Sequence, residues 1–206
     1  KWSAIDAYRN STMSTIVLSG IRDQRLELPA RMRGESLTRY AVRLAENYAN
    51  RTTHETRKKK GQFFTPDTVA TFMAGLAELQ QKSTIRLLDP GAGVGILSAA
   101  ICDHISTLDK RIQIHVDAIE NDKEVVPYLQ ILLAECQRAC KASGQLMTFK
   151  IYDEDFVLKY APLVEDNTFS HSLFTREFYD CIISNPPYAK LSAVSLQAKA
   201  MKTLVS

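Results

Sequence analysis

The 206-residue sequence has no apolar run near the roughly 18 residues that a membrane-crossing helix needs. Ser14–Gly20 is apolar but short and lacks the layout of a signal peptide. The four cysteines (Cys102, Cys136, Cys140 and Cys181) show no Cys-x-x-Cys spacing. They read as reduced core residues of an intracellular, cytoplasmic protein rather than as a disulfide framework. Cys136 and Cys140 share a helix face, but no histidine clusters with them, so no metal site is expected. His54, His104, His115 and His171 are scattered and receive no role. The chain does not begin with Met; Met13 is the first, and residues 1–12 are read as fragment sequence.

Charge is modest overall and uneven along the chain. The net charge is +3, but residues 1–60 carry 13 Lys/Arg against 6 Asp/Glu, and the remainder carries 13 against 17. A basic N-terminal part beside a slightly acidic remainder points to a polyanionic partner, or to a solvated basic surface.

After residues 13–34, which have no clear period, Ser36 reads as an N-cap. Leu37, Tyr40, Ala41, Leu44 and Tyr48 follow at helical spacing. Arg57-Lys58-Lys59-Lys60 reads as an exposed linker able to touch phosphates. In Gly61-Gln62-Phe63-Phe64-Thr65-Pro66, Thr65 is placed to cap a helix and Pro66 suits its first position. The expected buried stripe of that helix is Val69, Phe72, Met73, Leu76 and Ala77. A capped helix start offers N–H groups to an anion such as a carboxylate.

Ile85–Asp89 reads as a buried strand that runs into Asp89-Pro90-Gly91-Ala92-Gly93-Val94-Gly95 and then a helix to about Ile105. Strand, glycine turn and helix together bring backbone close to a ligand. A dinucleotide loop would place its third glycine at position 96, where Ile96 stands. The acid before the turn argues for a ligand with a cationic end, such as the ammonium and sulfonium of S-adenosylmethionine.

Ile112–Ile119 is the second predicted strand, with Glu120 at its tip, where an acid can take both hydroxyls of a ribose. Asn121 and Asp122 are expected to cap the next helix, whose core face is Val125, Leu129, Leu132, Cys136 and Ala139. Met147–Tyr152 is a third strand. It leads to Asp155, able to receive an adenine amino group, and to Phe156, able to pack on the ring. Residues 159–178 read as an insertion or long connection. Tyr179–Ser184 then delivers Asn185-Pro186-Pro187-Tyr188 at a strand's C-terminal end. The prolines stiffen the backbone and restrict the residues before them. The segment offers a side-chain amide, carbonyls and an aromatic ring, a set that can accept from an amino group and stack on a planar base.

In this order the motifs resemble the DNA adenine (N6) methyltransferases that use S-adenosylmethionine, in the subgroup whose cofactor motif precedes the catalytic one. The closest look is to restriction–modification enzymes, and the resemblance covers about residues 58–190. It implies an α/β, Rossmann-like class I methyltransferase fold with a doubly wound, mostly parallel sheet. The domain would occupy residues 57–206, behind a basic helical extension at 1–56. It implies cofactor-side roles for Gln62, Phe63, Phe64, Thr65, Asp89, Gly91, Gly93, Gly95, Glu120, Asp155 and Phe156. It implies catalytic roles for Asn185, Pro186, Pro187 and Tyr188. Thr65 would lie near the methionine carboxylate, Asp89 near the ammonium and Glu120 on the ribose.

The implied partners are duplex DNA and an endonuclease, separate or fused. Related enzymes that act on a protein glutamine or on RNA can carry the same Asn-Pro-Pro-Tyr, and a non-catalytic cofactor-binding fragment is the other alternative. Only 18 residues follow Tyr188. The chain is therefore expected to be the N-terminal half of a longer protein, inactive on duplex DNA alone. Its strands are expected in the order third, second, first, fourth. The fourth would form an open edge that pairs with another chain, is covered by Leu191–Ser206, or aggregates.

Overall fold

The computed structural model describes residues 13–16, 26–59, 64–159, 179–186 and 195–203. A short antiparallel pair, β1 (Met13–Ile16) and β2 (Leu26–Pro29), precedes helix α1 (Leu37–Arg51). Ser36 caps α1 as expected, its hydroxyl accepting from the Arg39 N–H. The stripe Leu37, Tyr40, Ala41, Leu44 and Tyr48 is buried. A second cap comes from far along the chain. The Asp103 carboxylate accepts from Leu37 N (3.0 Å), Thr38 N (2.8 Å) and the Thr38 hydroxyl (2.7 Å). It thus takes up free donors of the first turn and places negative charge at the positive end of the helix dipole. Although α1 lies in the segment read as an extension, its buried stripe belongs to the same hydrophobic core as the sheet.

The basic run behaves differently from the exposed linker expected of it. Helix α2 (His54–Lys59) includes most of it. The Arg57 guanidinium turns back to donate to the carbonyls of Ala49 and Thr52, closing the C-terminal end of α1. A cation there satisfies orphan carbonyls and the dipole together.

Helix α3 (Asp67–Leu76) bears out part of the expected stripe, since Met73 and Ala77 pack against the core. Ala70 and Ala74 are its buried residues, whereas Val69, Phe72 and Leu76 are 45%, 66% and 65% exposed. Small residues let α3 approach its neighbour closely, and the large apolar ones turn outward. Pro66, not Thr65, stands at the N-cap, with no side-chain cap. Thr65 is buried and bonded elsewhere, as described below.

After a 3-10 turn at Leu79–Gln81 comes the sheet. Its strands are β3 (Thr84–Pro90), β4 (Gln113–Ile119), β5 (Leu146–Tyr152) and β6 (Cys181–Ile182). All pairings are parallel, and the spatial order is β5-β4-β3-β6, the order expected. Helix α4 (Ile96–Ser106) connects β3 to β4, and α5 (Val126–Ala142) connects β4 to β5. Ile85, Leu87, Ile114, Val116 and Met147 share the core with Ile101, Leu129 and Leu132 of these helices. Cys102, Cys136 and Cys140 are fully buried in that core, and all four cysteines are free. Asn121 and Asp122 do not cap α5 directly; Asp122 caps a preceding turn by accepting from the Glu124 N–H.

Residues on alternate positions of β3 and β4 form a polar cluster that sequence periodicity hid. Asp117, 1% exposed, accepts from the Tyr179 hydroxyl (3.0 Å) and lies 3.4 Å from the Arg86 guanidinium and 3.2 Å from His115 Nε2.

The predicted strand Tyr179–Ser184 is regular only over Cys181–Ile182, although Asp180 N and Ile183 N continue its bonding to Arg86 and Leu88. Among the described residues β6 has no strand on its outer side, and Ile182 is 64% exposed. Of the segment Leu191–Ser206, one of the expected alternatives for covering this edge, residues 191–194 and 204–206 lie outside the described residues, and helix α6 (Leu196–Thr203) is hydrogen-bonded through Gln197 to Asp155, which follows the opposite edge strand β5. An open edge with an outward Ile is a template for strand pairing. The chain is therefore predicted to self-associate with rising concentration in sedimentation velocity, and Ile182→Lys to shift it toward monomer. A parent chain that stays monomeric at all concentrations would contradict this.

Candidate functional site

Strands β3, β4 and β5 advance in one direction across the sheet, while β6 lies on the other side of β3. The order reverses between β3 and β6. At the carboxyl ends of such strands an open α/β sheet has its ligand crevice. A small open cleft lies there, lined by Phe64, Thr65, the turn 91–94, Ile96, Leu97 and Asn185.

Its floor is the glycine turn. Gly91, Gly93 and Gly95 all have positive φ, at 72°, 56° and 92°. The turn is held to the end of β4, where the Ile119 carbonyl accepts from Gly91 N (2.8 Å) and Ala92 N (3.0 Å). The glycines divide the work. Gly91 and Gly93 line the cleft. Gly95 faces away from it: a Cβ there would stand 2.8 Å from Leu129 Cδ1 and 3.0 Å from Leu132 Cδ2. Glycine at 95 thus serves the close packing of α5 rather than a ligand.

Two carboxylates lie behind the turn. Glu120, 8% exposed, accepts from Gly93 N (2.7 Å) through Oε2 and from Asp122 N (2.8 Å) through Oε1. Burial raises its pKa, and the backbone donors oppose that rise. Asp89, 1% exposed, accepts from the Ser98 hydroxyl at 2.6 Å, and burial pushes its carboxyl up to about 7. Asp89 therefore sits beneath the turn, pinned to the first turn of α4, and its side chain does not line the cleft. The buried pair biases the floor toward a cationic or hydrogen-donating ligand.

The walls come from both flanks. Phe64 packs over the turn, its ring 3.9 Å from where a Gly93 Cβ would be, and meets Tyr48 of α1 edge-on at 5.9 Å. Opposite, the Ser184 hydroxyl donates to the Pro90 carbonyl (2.8 Å), tying the end of β6 to the end of β3. This fixes Asn185 at the cleft, where its Nδ2 donates to Thr65 Oγ1 at 3.0 Å. Pro186 follows, exposed.

Asp155 lies to the side, after β5. One of its carboxylate oxygens accepts from Leu158 N (3.0 Å), and the other from Asn121 Nδ2 (3.3 Å) and Gln197 Nε2 (3.0 Å). Phe156 opens a short helical turn at 156–159 and is half-buried. Gln62, Phe63, Pro187 and Tyr188 lie outside the described residues. Ser98, Ser184 and the Thr65–Asn185 bond went unnoticed in the sequence: Ser184 and Asn185 meet partners 94 and 120 positions away, and Ser98 meets Asp89 across the glycine turn. Among the described residues no cluster suited to a metal ion occurs, and no helix is long and apolar enough to cross a membrane.

The family described as N-6 DNA Methylase matches residues 43–200. The chain belongs to that family. The chain is 28% identical over 149 residues to the Type II methyltransferase M.BsuBI of Bacillus subtilis, covering 71% of the chain and 28% of that protein. It is 32% identical over 146 residues to the Type II methyltransferase M.PstI of Providencia stuartii, covering 70% and 27%. The chain thus spans little more than a quarter of the length of these relatives. In fold it is similar to a Listeria monocytogenes protein assigned as a class I S-adenosylmethionine-dependent methyltransferase. The TM-score is 0.53 at 18% identity, over 84% of this chain and 45% of that one. The α/β, mostly parallel architecture expected from the sequence is therefore the one found.

The Asp89 carboxyl gives a test of the buried floor. Its folded pKa, about 7, lies above the ordinary 3.8, so the folded chain holds this proton more tightly than the unfolded chain. The stabilising contribution is whole below about pH 4 and is lost as pH rises toward 7. Asp89→Asn keeps an acceptor for Ser98 without the charge. Its stability advantage in urea melts is predicted to grow between pH 4 and 7 by on the order of a few kcal/mol, then level off. An advantage independent of pH would contradict the placement of this charge.

Proposed function

We propose that this chain is the cofactor-binding part of a DNA adenine-N6 methyltransferase of a restriction–modification system. In this reading the cleft holds S-adenosylmethionine and its mouth presents the acceptor base to Asn185. The observation that carries it is the position of the Asn185 amide, fixed beside the glycine turn at the sheet's switch point. The family and the Type II relatives support the substrate class.

The residues suit such a cofactor. The Thr65 hydroxyl and the backbone of Gly91–Gly93 face the space for its amino-acid end, over a floor with two buried carboxylates. Glu120 keeps acceptor capacity beside its two backbone donors, since a carboxylate has about four lone-pair sites. In this reading it takes the ribose hydroxyls. Asp155 and Phe156 would flank the adenine ring. When bound, S-adenosylmethionine supplies a methyl group made electrophilic by its sulfonium.

The chain's own task is at the acceptor. The adenine amine is a poor nucleophile, because its lone pair is delocalised into the ring. The Asn185 side-chain oxygen and the Pro186 carbonyl would each accept one of its N–H bonds, localising the lone pair toward the cleft. Tyr188 would stack on the base once it has left the duplex. Stacking worth roughly 1–3 kcal/mol offsets part of the unstacking cost. Duplex DNA as substrate, an endonuclease as separate or fused partner, and a cytoplasmic location belong to the same proposal.

Transfer from methyl-labelled S-adenosylmethionine to duplex DNA, RNA and protein, by the protein that contains this chain, tests the reading. Label is expected in adenine of duplex DNA. Asn185→Ala should lower the rate by about 100-fold or more, the scale of losing one aimed hydrogen-bonding group. Cofactor affinity should stay nearly unchanged. Label in protein or RNA alone would favour a glutamine or RNA acceptor. An equal loss of cofactor affinity would put Asn185 on the wrong side of the cleft.

A further inference from the structure

Tyr48 stands on α1, in the part of the chain that the sequence marks as an extension ahead of the domain. It is buried, and its ring meets two others edge-on: Phe64 at 5.9 Å and 89°, and Tyr128 of α5 at 5.5 Å and 80°. Aromatic rings favour this arrangement, in which the positive edge of one faces the negative face of the other. Phe64 in turn lines the cleft and packs over the glycine turn, 3.9 Å from the place of a Gly93 Cβ. Among the described residues Tyr48 is the aromatic partner of Phe64.

The polar end of Tyr48 reaches a second part of the same site. Its hydroxyl donates to Asp122 Oδ2 at 3.1 Å. The Asp122 N–H donates to Glu120 Oε1 at 2.8 Å, and Glu120 Oε2 accepts from Gly93 N at 2.7 Å. The contacts close a circuit: Gly93, Phe64, Tyr48, Asp122, Glu120 and back to Gly93. Tyr48 joins its two halves, the apolar wall of the cleft and the acid behind the turn. It shares the support of Asp122 with other groups, among them the Glu124 N–H, which donates to Asp122 Oδ1. The aromatic contact is therefore the larger part of what Tyr48 contributes, and the hydroxyl the smaller.

We propose that Tyr48 is a positioning residue for cofactor binding, holding the Phe64 ring against the glycine turn and helping to hold the segment that carries Glu120. The inference rests on the cofactor reading above. Tyr48 does not itself line the cleft, so it acts through Phe64 and Asp122 and not by touching the ligand. A smaller side chain at position 48 leaves the Phe64 ring free to turn away from Gly93, and the cleft then lacks its wall before the cofactor arrives. The consequence is that α1 belongs to the cofactor site and is not a separate extension.

The test is calorimetric titration of the 206-residue chain and its variants with S-adenosylmethionine. Tyr48→Leu is expected to weaken binding about tenfold, the combined worth of an edge-on aromatic pair and a hydrogen bond. Tyr48→Phe keeps the ring and should recover most of that loss, binding about threefold more weakly than the parent. Tyr128→Phe is the control. It removes a hydroxyl from the same buried cluster, but one whose partner, Asn47 Oδ1 at 3.3 Å, lies outside the circuit. It should bind as the parent does even where its melting temperature falls. Tyr48→Leu should also add little to the loss already caused by Phe64→Leu, because it acts through that ring. Unchanged affinity in Tyr48→Leu, a loss fully additive with that of Phe64→Leu, or an equal loss in Tyr128→Phe would overturn the positioning role while leaving the cofactor in its cleft. Where Tyr48→Leu does not fold, Tyr48→Phe against Tyr128→Phe decides in its place, and equal affinities overturn the proposal. A parent chain that does not bind S-adenosylmethionine would overturn the cofactor reading, and the proposal with it.

Discussion

The hydrogen bond from Gly93 N to the Glu120 carboxylate, 2.7 Å long, is the constraint on which the cleft depends. Glu120 directly follows β4 and Gly93 follows β3, so this bond joins the loops at the tips of two neighbouring strands. The Ile119 carbonyl supports it by accepting from Gly91 and Ala92. A turn with three residues at positive φ gains nothing from intrinsic preference except through glycine. Its shape is set by what its N–H groups are bonded to. Burying a carboxylate is costly unless donors compensate it, and here the donors are the turn and the segment after β4. The acid and the loop therefore define each other's position.

The second strand tip completes the site in the same way. Ser184 bonds β6 to Pro90, and the bond from Asn185 to Thr65 reaches the segment ahead of α3. Three stretches far apart in sequence thus meet around one cleft, at the place where the strand order reverses. The polar contacts that join them are short and part-buried.

The cap at Ser36 and the glycine turn were legible in the sequence because each is dictated locally, by a hydroxyl before a helix or by glycines after a strand, whereas the strand order was expected from the family resemblance alone. The misplaced features have a common cause. On α3 the period was right, but size misled: the large residues Val69, Phe72 and Leu76 turn outward because Ala70 and Ala74 permit close helix contact. Thr65 looked like a cap because it precedes Pro66, yet its hydroxyl is used across 120 positions by Asn185. Asp103 caps α1, and Arg57 closes its other end, through partners that no local pattern announces. Asp89 and Gly95 were read as facing a ligand, whereas the packing of α4 and α5 uses them beneath the turn.

The same separation of local and long-range causes bears on function. The glycine turn and the tetrapeptide identify the kind of chemistry, but the ligand's identity rests on the groups that point into the cleft. Calorimetric titration of the chain with S-adenosylmethionine, and in parallel with NAD, addresses this most directly. One molecule of S-adenosylmethionine should bind per chain and NAD should not. Glu120→Ala should weaken binding by about tenfold or more, from losing charge-assisted hydrogen bonds partly replaced by water. Unchanged affinity in Glu120→Ala, or equal binding of NAD, would contradict a cleft built around the turn and its buried acid.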